Sequence, residues 1–141
     1  MVFHTQSPEE TKAAARQVAA LLRPGDLIAY RGGMGAGKTT FTAGLAQGLG
    51  SEAWVSSPTF ALVHQYDGPI PLCHFDMFRI TSLEDLYSTG FFDYLDQGAV
   101  LAVEWSENIE EALPQPHITV DIALEEGDRR TITVTGDERF S

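Results

Sequence analysis

Apolar residues in this chain switch between a helical spacing and short unbroken runs. Ala14, Val18, Ala19 and Leu22 fall on one stripe at helical intervals, and Ser7-Pro8-Glu9-Glu10 reads as a capping box with proline at the first helical position. A helix is predicted from Pro8 to about Leu22, ended by Pro24-Gly25. Leu27 to Tyr30 is an apolar run short enough for a buried strand, and a helical pattern from Phe41 to Leu49 follows it closely. Trp54-Val55 starts a second strand, and Phe60 to Tyr66 is rich in residues that favour strands. Asp67-Gly68 reads as a hairpin turn, with Pro69 to Phe75 as the returning strand and Asp76 at its end.

The second half continues in short elements. Ser82 caps a predicted helix to Tyr87, with Glu84 and Asp85 in its first turn, and Gly90 closes it. Phe91 to Leu95 predicts a further helical turn. Ala99 to Trp105 is an uninterrupted apolar strand that ends in the carboxylate of Glu104. Ser106 to Leu113 predicts a helix stopped by Pro114 and Pro116, and Ile118 to Leu124 with Arg130 to Thr135 predict an antiparallel edge hairpin joined at Glu126-Gly127-Asp128. Two buried strands separated by helices imply an α/β fold: a P-loop NTPase-like mixed sheet with a parallel centre and helices on both faces.

The candidate chemistry sits between the first buried strand and its helix. Gly32-Gly33-Met34-Gly35-Ala36-Gly37-Lys38-Thr39-Thr40 contains Gly-x-x-x-x-Gly-Lys-Thr in the strand-to-helix context that a P-loop requires. Glycine lets backbone N–H groups turn inward and approach phosphate oxygens, and the helix that follows presents its unpaired N–H groups to the same anion. Four glycines in an ordinary turn would forfeit about 2 to 4 kcal/mol against alanine, which a small domain rarely tolerates without return. Lys38 is suited to the β- and γ-phosphates, and the Thr39 hydroxyl to Mg²⁺.

Ligands of parallel sheets sit at the carboxyl ends of strands, where the P-loop, Asp76 and Glu104 can converge. Glu104, at the end of a Walker B-like strand, is the first candidate for the acidic group that completes a metal site, and Asp76 its rival. A turn or cap role also suits Asp76. Thr59, after Pro58, is placed to sense a γ-phosphate or simply to start a strand. His74 reads as a half-buried strand residue rather than a base, Trp105 as a packing residue before a ligand or partner contact, and Cys73 as a small core residue.

Composition limits the classes that remain. The 141 residues read as one nucleotide-binding domain, 43% hydrophobic, without an apolar run near 18 residues. The amino terminus lacks a secretion pattern and the lone Cys73 cannot form an internal disulfide, so a cytoplasmic, membrane-free protein is expected. The net charge of −11 argues against direct high-affinity binding of nucleic acid by the chain alone. Between Lys38 and Arg129 the one basic residue is Arg79, so few cations are expected near a transferring phosphate. A small-molecule kinase, which usually carries lid arginines, is disfavoured on that ground. A GTP-dependent switch is disfavoured because no lysine follows Lys38 to complete Asn-Lys-x-Asp.

Gly35-Ala-Gly-Lys-Thr-Thr40, Ser57-Pro-Thr-Phe60, His74-Phe-Asp-Met-Phe-Arg79 and Val103-Glu-Trp-Ser-Glu107 stand in the order found in the TsaE (formerly YjeE) family of bacterial P-loop ATPases, which the chain resembles over nearly its whole length. One departure is Gly32-Gly33-Met34 where the family usually has Gly-Asp-Leu, which removes an acidic side chain from the loop. The resemblance implies Mg²⁺-dependent binding and hydrolysis of ATP, with ADP as product, in the pathway that attaches a threonylcarbamoyl group to tRNA adenosine. It implies TsaD and TsaB as partners, TsaD being the transferase, and tRNA met only through that complex. It also implies nucleotide and metal contacts for Lys38 and Thr39, a metal-site role for Glu104, and functional roles for Ser57, Thr59, Asp76 and Trp105. A partner would then complete a site short of arginines.

Overall fold

The fold was analysed in a computed structural model that describes residues 1–33, 37–51, 63–114 and 116–141, and the backbone of 54–56. Among these residues eight strands form one sheet, in the order β1-β8-β7-β2-β6-β5-β4-β3. The strands are β1 Val2–Thr5, β2 Leu27–Arg31, β3 Trp54–Ser56, β4 Val63–Tyr66, β5 Leu72–Asp76, β6 Val100–Glu104, β7 Ile118–Leu124 and β8 Arg130–Thr135. Strands β7, β2, β6 and β5 are mutually parallel, and the strands outside them pair antiparallel. The predicted parallel centre is present, and its strand β7 forms the predicted hairpin with β8, with β1 added outside.

Helices cover both faces, because the central strands are apolar on both. On one face, α1 (Pro8–Ala19) and α2 (Lys38–Gly48) bury Val18, Phe41 and Leu45 against Ile28, Ala102 and Val120. On the other, α3 (Leu83–Ser88), α4 (Phe91–Asp96) and a 3-10 helix, η1 (Ser106–Ala112), bury Leu86, Phe91 and Ile109 against Ala29, Phe75 and Val103. Helix α1 starts as predicted, with the Ser7 hydroxyl accepting from the Glu10 N–H at 3.2 Å. The Glu10 carboxylate accepts from Gln6 N–H, one residue before the position a full capping box would use. That helix ends at Ala19, short of the predicted Leu22, and Leu21 and Leu22 close it with three-residue turns.

Two elements differ from the sequence reading. Strand β1 was not predicted, since four residues show too little alternation and its pairing depends on the edge that β8 offers. The predicted α-helix at Ser106 is 3-10, entered through Trp105 in the left-handed region at φ 58°. No helix of the described residues is long and apolar enough to cross a membrane.

Candidate functional site

Strand β2 delivers the chain to the site. Gly32 follows at φ 129°, and a β-carbon there would overlap the Ile122 carbonyl oxygen of β7, so no other residue fits at this point. Gly37 caps α2 at φ 110°, a conformation that side-chain-bearing residues rarely adopt. The first helical turn is fixed to the sheet from below. Thr42 donates to the Lys38 carbonyl at 2.8 Å, so its oxygen accepts from the Tyr30 hydroxyl at 2.7 Å, a buried bond between β2 and α2. Burial raises the Tyr30 phenol far above its ordinary range, which keeps this donor protonated.

A cleft of about 890 Å³ opens above this turn, large enough for a nucleotide-sized ligand. Gly32, Gly33, Gly37, Lys38, Thr39 and Thr40 line it from the loop and α2. Asp76, Phe78, Glu104, Trp105 and Glu107 line it from the neighbouring strand ends. Asp76 and Glu104 are register partners on adjacent parallel strands, which sets their carboxylates side by side at the same sheet edge.

Glu104 is the electrostatic hub. One carboxylate oxygen lies 3.4 Å from the Lys38 ammonium, and the other lies 2.7 Å from His74 Nε2. The His74 bond, followed by the Lys38 charge, holds the Glu104 carboxyl below the usual carboxylate range despite partial burial. Lys38 also donates to the Gly32 carbonyl at 3.1 Å. Across the rim Arg31 pairs with Glu107 at 3.4 Å. The Asp76 carboxylate accepts from Phe78 N–H at 3.0 Å, and Asn108 donates to the Met77 carbonyl at 2.8 Å, so both strand-end turns are pinned together. Trp105 is 44% exposed and leans on Phe78, ring centroids 5.0 Å apart.

A family model described as threonylcarbamoyl adenosine biosynthesis protein TsaE matches residues 5–132. The chain belongs to the TsaE family. It is 45% identical to the tRNA threonylcarbamoyladenosine biosynthesis protein TsaE of Bacillus subtilis, over 94% of this chain and 84% of that protein. It is 35% identical to the protein of the same name from Treponema pallidum, over 92% and 96%. The crystal structure of Bacillus subtilis YdiB superimposes with a TM-score of 0.77 at 37% identity, covering 99% of this chain and 88% of that one.

In this TsaE-family fold, the predicted Gly32, Gly33, Gly37, Lys38, Thr39, Thr40, Asp76, Glu104 and Trp105 all face one cleft. Met34, Gly35, Ala36, Ser57 and Thr59 lie outside the described residues. Two readings of the sequence need correction. Trp105 is not a packing residue of the core, because the left-handed turn at the end of β6 turns its ring outward. The cleft is also not poor in arginine among the described residues: Arg31 and Arg130 both line it. They lie outside the stretch from Lys38 to Arg129 in sequence, and only strand order brings them in. His74 is buried as expected, yet its ring is the Glu104 partner. The signal was its two-residue offset from Asp76, which places a strand residue one pleat below the rim.

The residues present fit a nucleotide with a divalent cation. Gly33 has nothing within 4 Å where a β-carbon would project, which leaves open space beside the loop. The donor set combines an ammonium with hard oxygens from Thr39, Asp76 and Glu104, as Mg²⁺ and phosphate require.

Proposed function

We propose that this chain binds ATP and hydrolyses it with Mg²⁺, as an accessory protein in threonylcarbamoyl modification of tRNA adenosine, acting with TsaD and TsaB. The observation that carries the reading is the Lys38 ammonium at the cleft floor, held between the Gly32 carbonyl and Glu104, with Asp76 in register beside it. Membership of the TsaE family supports the pathway assignment.

The chemistry follows from a change of partners. Glu104 is the carboxylate partner of Lys38 at 3.4 Å, and a polyphosphate entering over the α2 N-terminus offers the ammonium a stronger one. Glu104 would keep its His74 bond, and its second oxygen, the Thr39 hydroxyl and Asp76 are the groups that would hold a divalent cation. Bound Mg²⁺ would neutralise charge on the phosphate oxygens. His74 holds the carboxylate in place during this exchange.

The test is steady-state ADP formation by the purified chain with and without the TsaD–TsaB pair. The pair is expected to raise the rate, and equal rates contradict the partnership. Glu104→Ala is expected to abolish turnover while sparing much of the nucleotide affinity. Normal Mg²⁺-dependent turnover in that variant moves the metal role to Asp76.

A further inference from the structure

The two carboxylates at the ends of β5 and β6 do not offer both of their oxygens to the cleft. Asp76 Oδ1 accepts from the Phe78 N–H at 3.0 Å. Glu104 Oε2 lies 2.7 Å from His74 Nε2, and Oε1 faces the Lys38 ammonium at 3.4 Å. Glu104 is ionised beside that ammonium, and a carboxylate can only accept, so Nε2 of His74 carries the hydrogen.

The fold fixes this bond from the histidine side. His74 pairs with Ala102, two residues before Glu104 on β6, and residues two apart on a strand share a face. Ala102 is small, so the ring can reach past it toward the strand end. The ring is buried, with the Tyr30 ring edge-on at 6.0 Å and the His64 ring of β4 at 6.3 Å. Tyr30 is in turn tied through its hydroxyl to Thr42 on α2. One Glu104 oxygen is therefore drawn inward to a buried, braced ring, and the other faces the cleft. That difference matters to a cation. Mg²⁺ demands a tight octahedron, keeps several of its waters and takes single oxygens from one or two carboxylates, whereas Ca²⁺ accepts a larger, looser shell and often both oxygens of one carboxylate. Two carboxylates with one oxygen each committed to protein donors suit the first ion and deny the second its chelating pair.

We infer that His74 is a specificity-determining residue that selects Mg²⁺ over Ca²⁺, by committing one Glu104 oxygen to its ring and leaving the other for the metal. This rests on the reading of the cleft as a metal–ATP site. The test is calorimetric binding of an ATP analogue whose β,γ-bridging oxygen is replaced by NH, at millimolar Mg²⁺ or millimolar Ca²⁺. The wild-type chain is compared with three variants. His74→Gln places an amide nitrogen where Nε2 stands, His74→Asn places it nearer Nδ1, and His74→Leu removes the donor. The wild type is expected to bind the analogue more tightly with Mg²⁺ than with Ca²⁺. That ratio is expected to fall about 10-fold in His74→Asn and His74→Leu, and His74→Gln is expected to keep most of it. His74→Asn keeps a polar group and stands in if the leucine variant does not fold. A merely structural role would weaken binding with both ions by the same factor, and an unchanged ratio in the folded variants overturns the inference. A wild-type chain with no preference for Mg²⁺ overturns it as well, as does a His74→Gln chain that loses the ratio as fully as His74→Asn. All three results leave the ATP reading intact. A wild-type chain that binds the analogue with neither ion removes that reading, and this inference with it.

Discussion

Glu104 is held by two side chains, His74 at 2.7 Å and Lys38 at 3.4 Å. Its depressed pKa arises first from His74 and then from Lys38, so the folded protein favours the carboxylate more than the unfolded chain does. The sign follows from linkage: this stabilisation is fully present above the ordinary value of 4.5 and is lost as pH falls through the lower folded value. Urea unfolding of the wild type and Glu104→Gln should therefore differ by on the order of 1 kcal/mol at pH 7, the scale of charge-assisted hydrogen bonds. The gap should narrow once the pH drops below 4.5. A gap that stays constant down to acid unfolding would remove the His74 and Lys38 contacts as its source. Trp105 is the other residue with a visible cost: it is the one non-glycine residue at positive φ among those described, a conformation worth about 1–3 kcal/mol of strain. The ring it exposes lies at the cleft rim, beside Phe78.

At the scale of elements, the position of the P-loop helix depends on small residues facing one another. Gly44 and Gly48 of α2 lie against Ala15 and Ala19 of α1, and β-carbons on them would sit 2.7 Å and 2.5 Å from those methyl groups. At Gly44 the Lys12 carbonyl oxygen is also 2.7 Å away, so backbone must move to admit a methyl group. Gly44→Ala gains about 1 kcal/mol of helix propensity, and overpacking against backbone costs about 1–3 kcal/mol. We expect a net loss of about 1 kcal/mol in denaturant unfolding, with weakened nucleotide affinity because α2 carries Lys38 and Thr39. A Gly44→Ala protein more stable than wild type would show that the helices part at no cost. Most elements were readable because their signals are local: the Ser7 and Ser82 caps, the apolar runs of β2 and β6, and the turn between β7 and β8. Strand β1 and the 3-10 form of η1 were not, since one depends on a partner edge and the other on a single backbone inversion at Trp105.

For the whole molecule, the deciding property is how a net charge of −11 is distributed. Acidic residues dominate, yet Arg31, Lys38 and Arg130 come together around one cleft. The sequence announced Lys38 through its motif, and Asp76 and Glu104 through strand ends. Arg31 and Arg130 carry no motif and stand 99 positions apart, brought together only because β7 joins β2 in parallel and β8 returns beside it. His74 was legible as a buried strand residue, but its bond to Glu104 requires the register of β5 on β6. The cleft balances these three cations with Asp76, Glu104 and Glu107, and the acidic charge of the rest of the chain disfavours contact with tRNA phosphates. The most direct measurement is calorimetry of ATP and ADP against the purified chain at millimolar Mg²⁺, repeated with Lys38→Ala. Saturable binding of both nucleotides, weakened about 10- to 100-fold by the substitution, is the predicted result. No heat of association from either nucleotide, or equal affinity in the Lys38→Ala chain, would contradict the account.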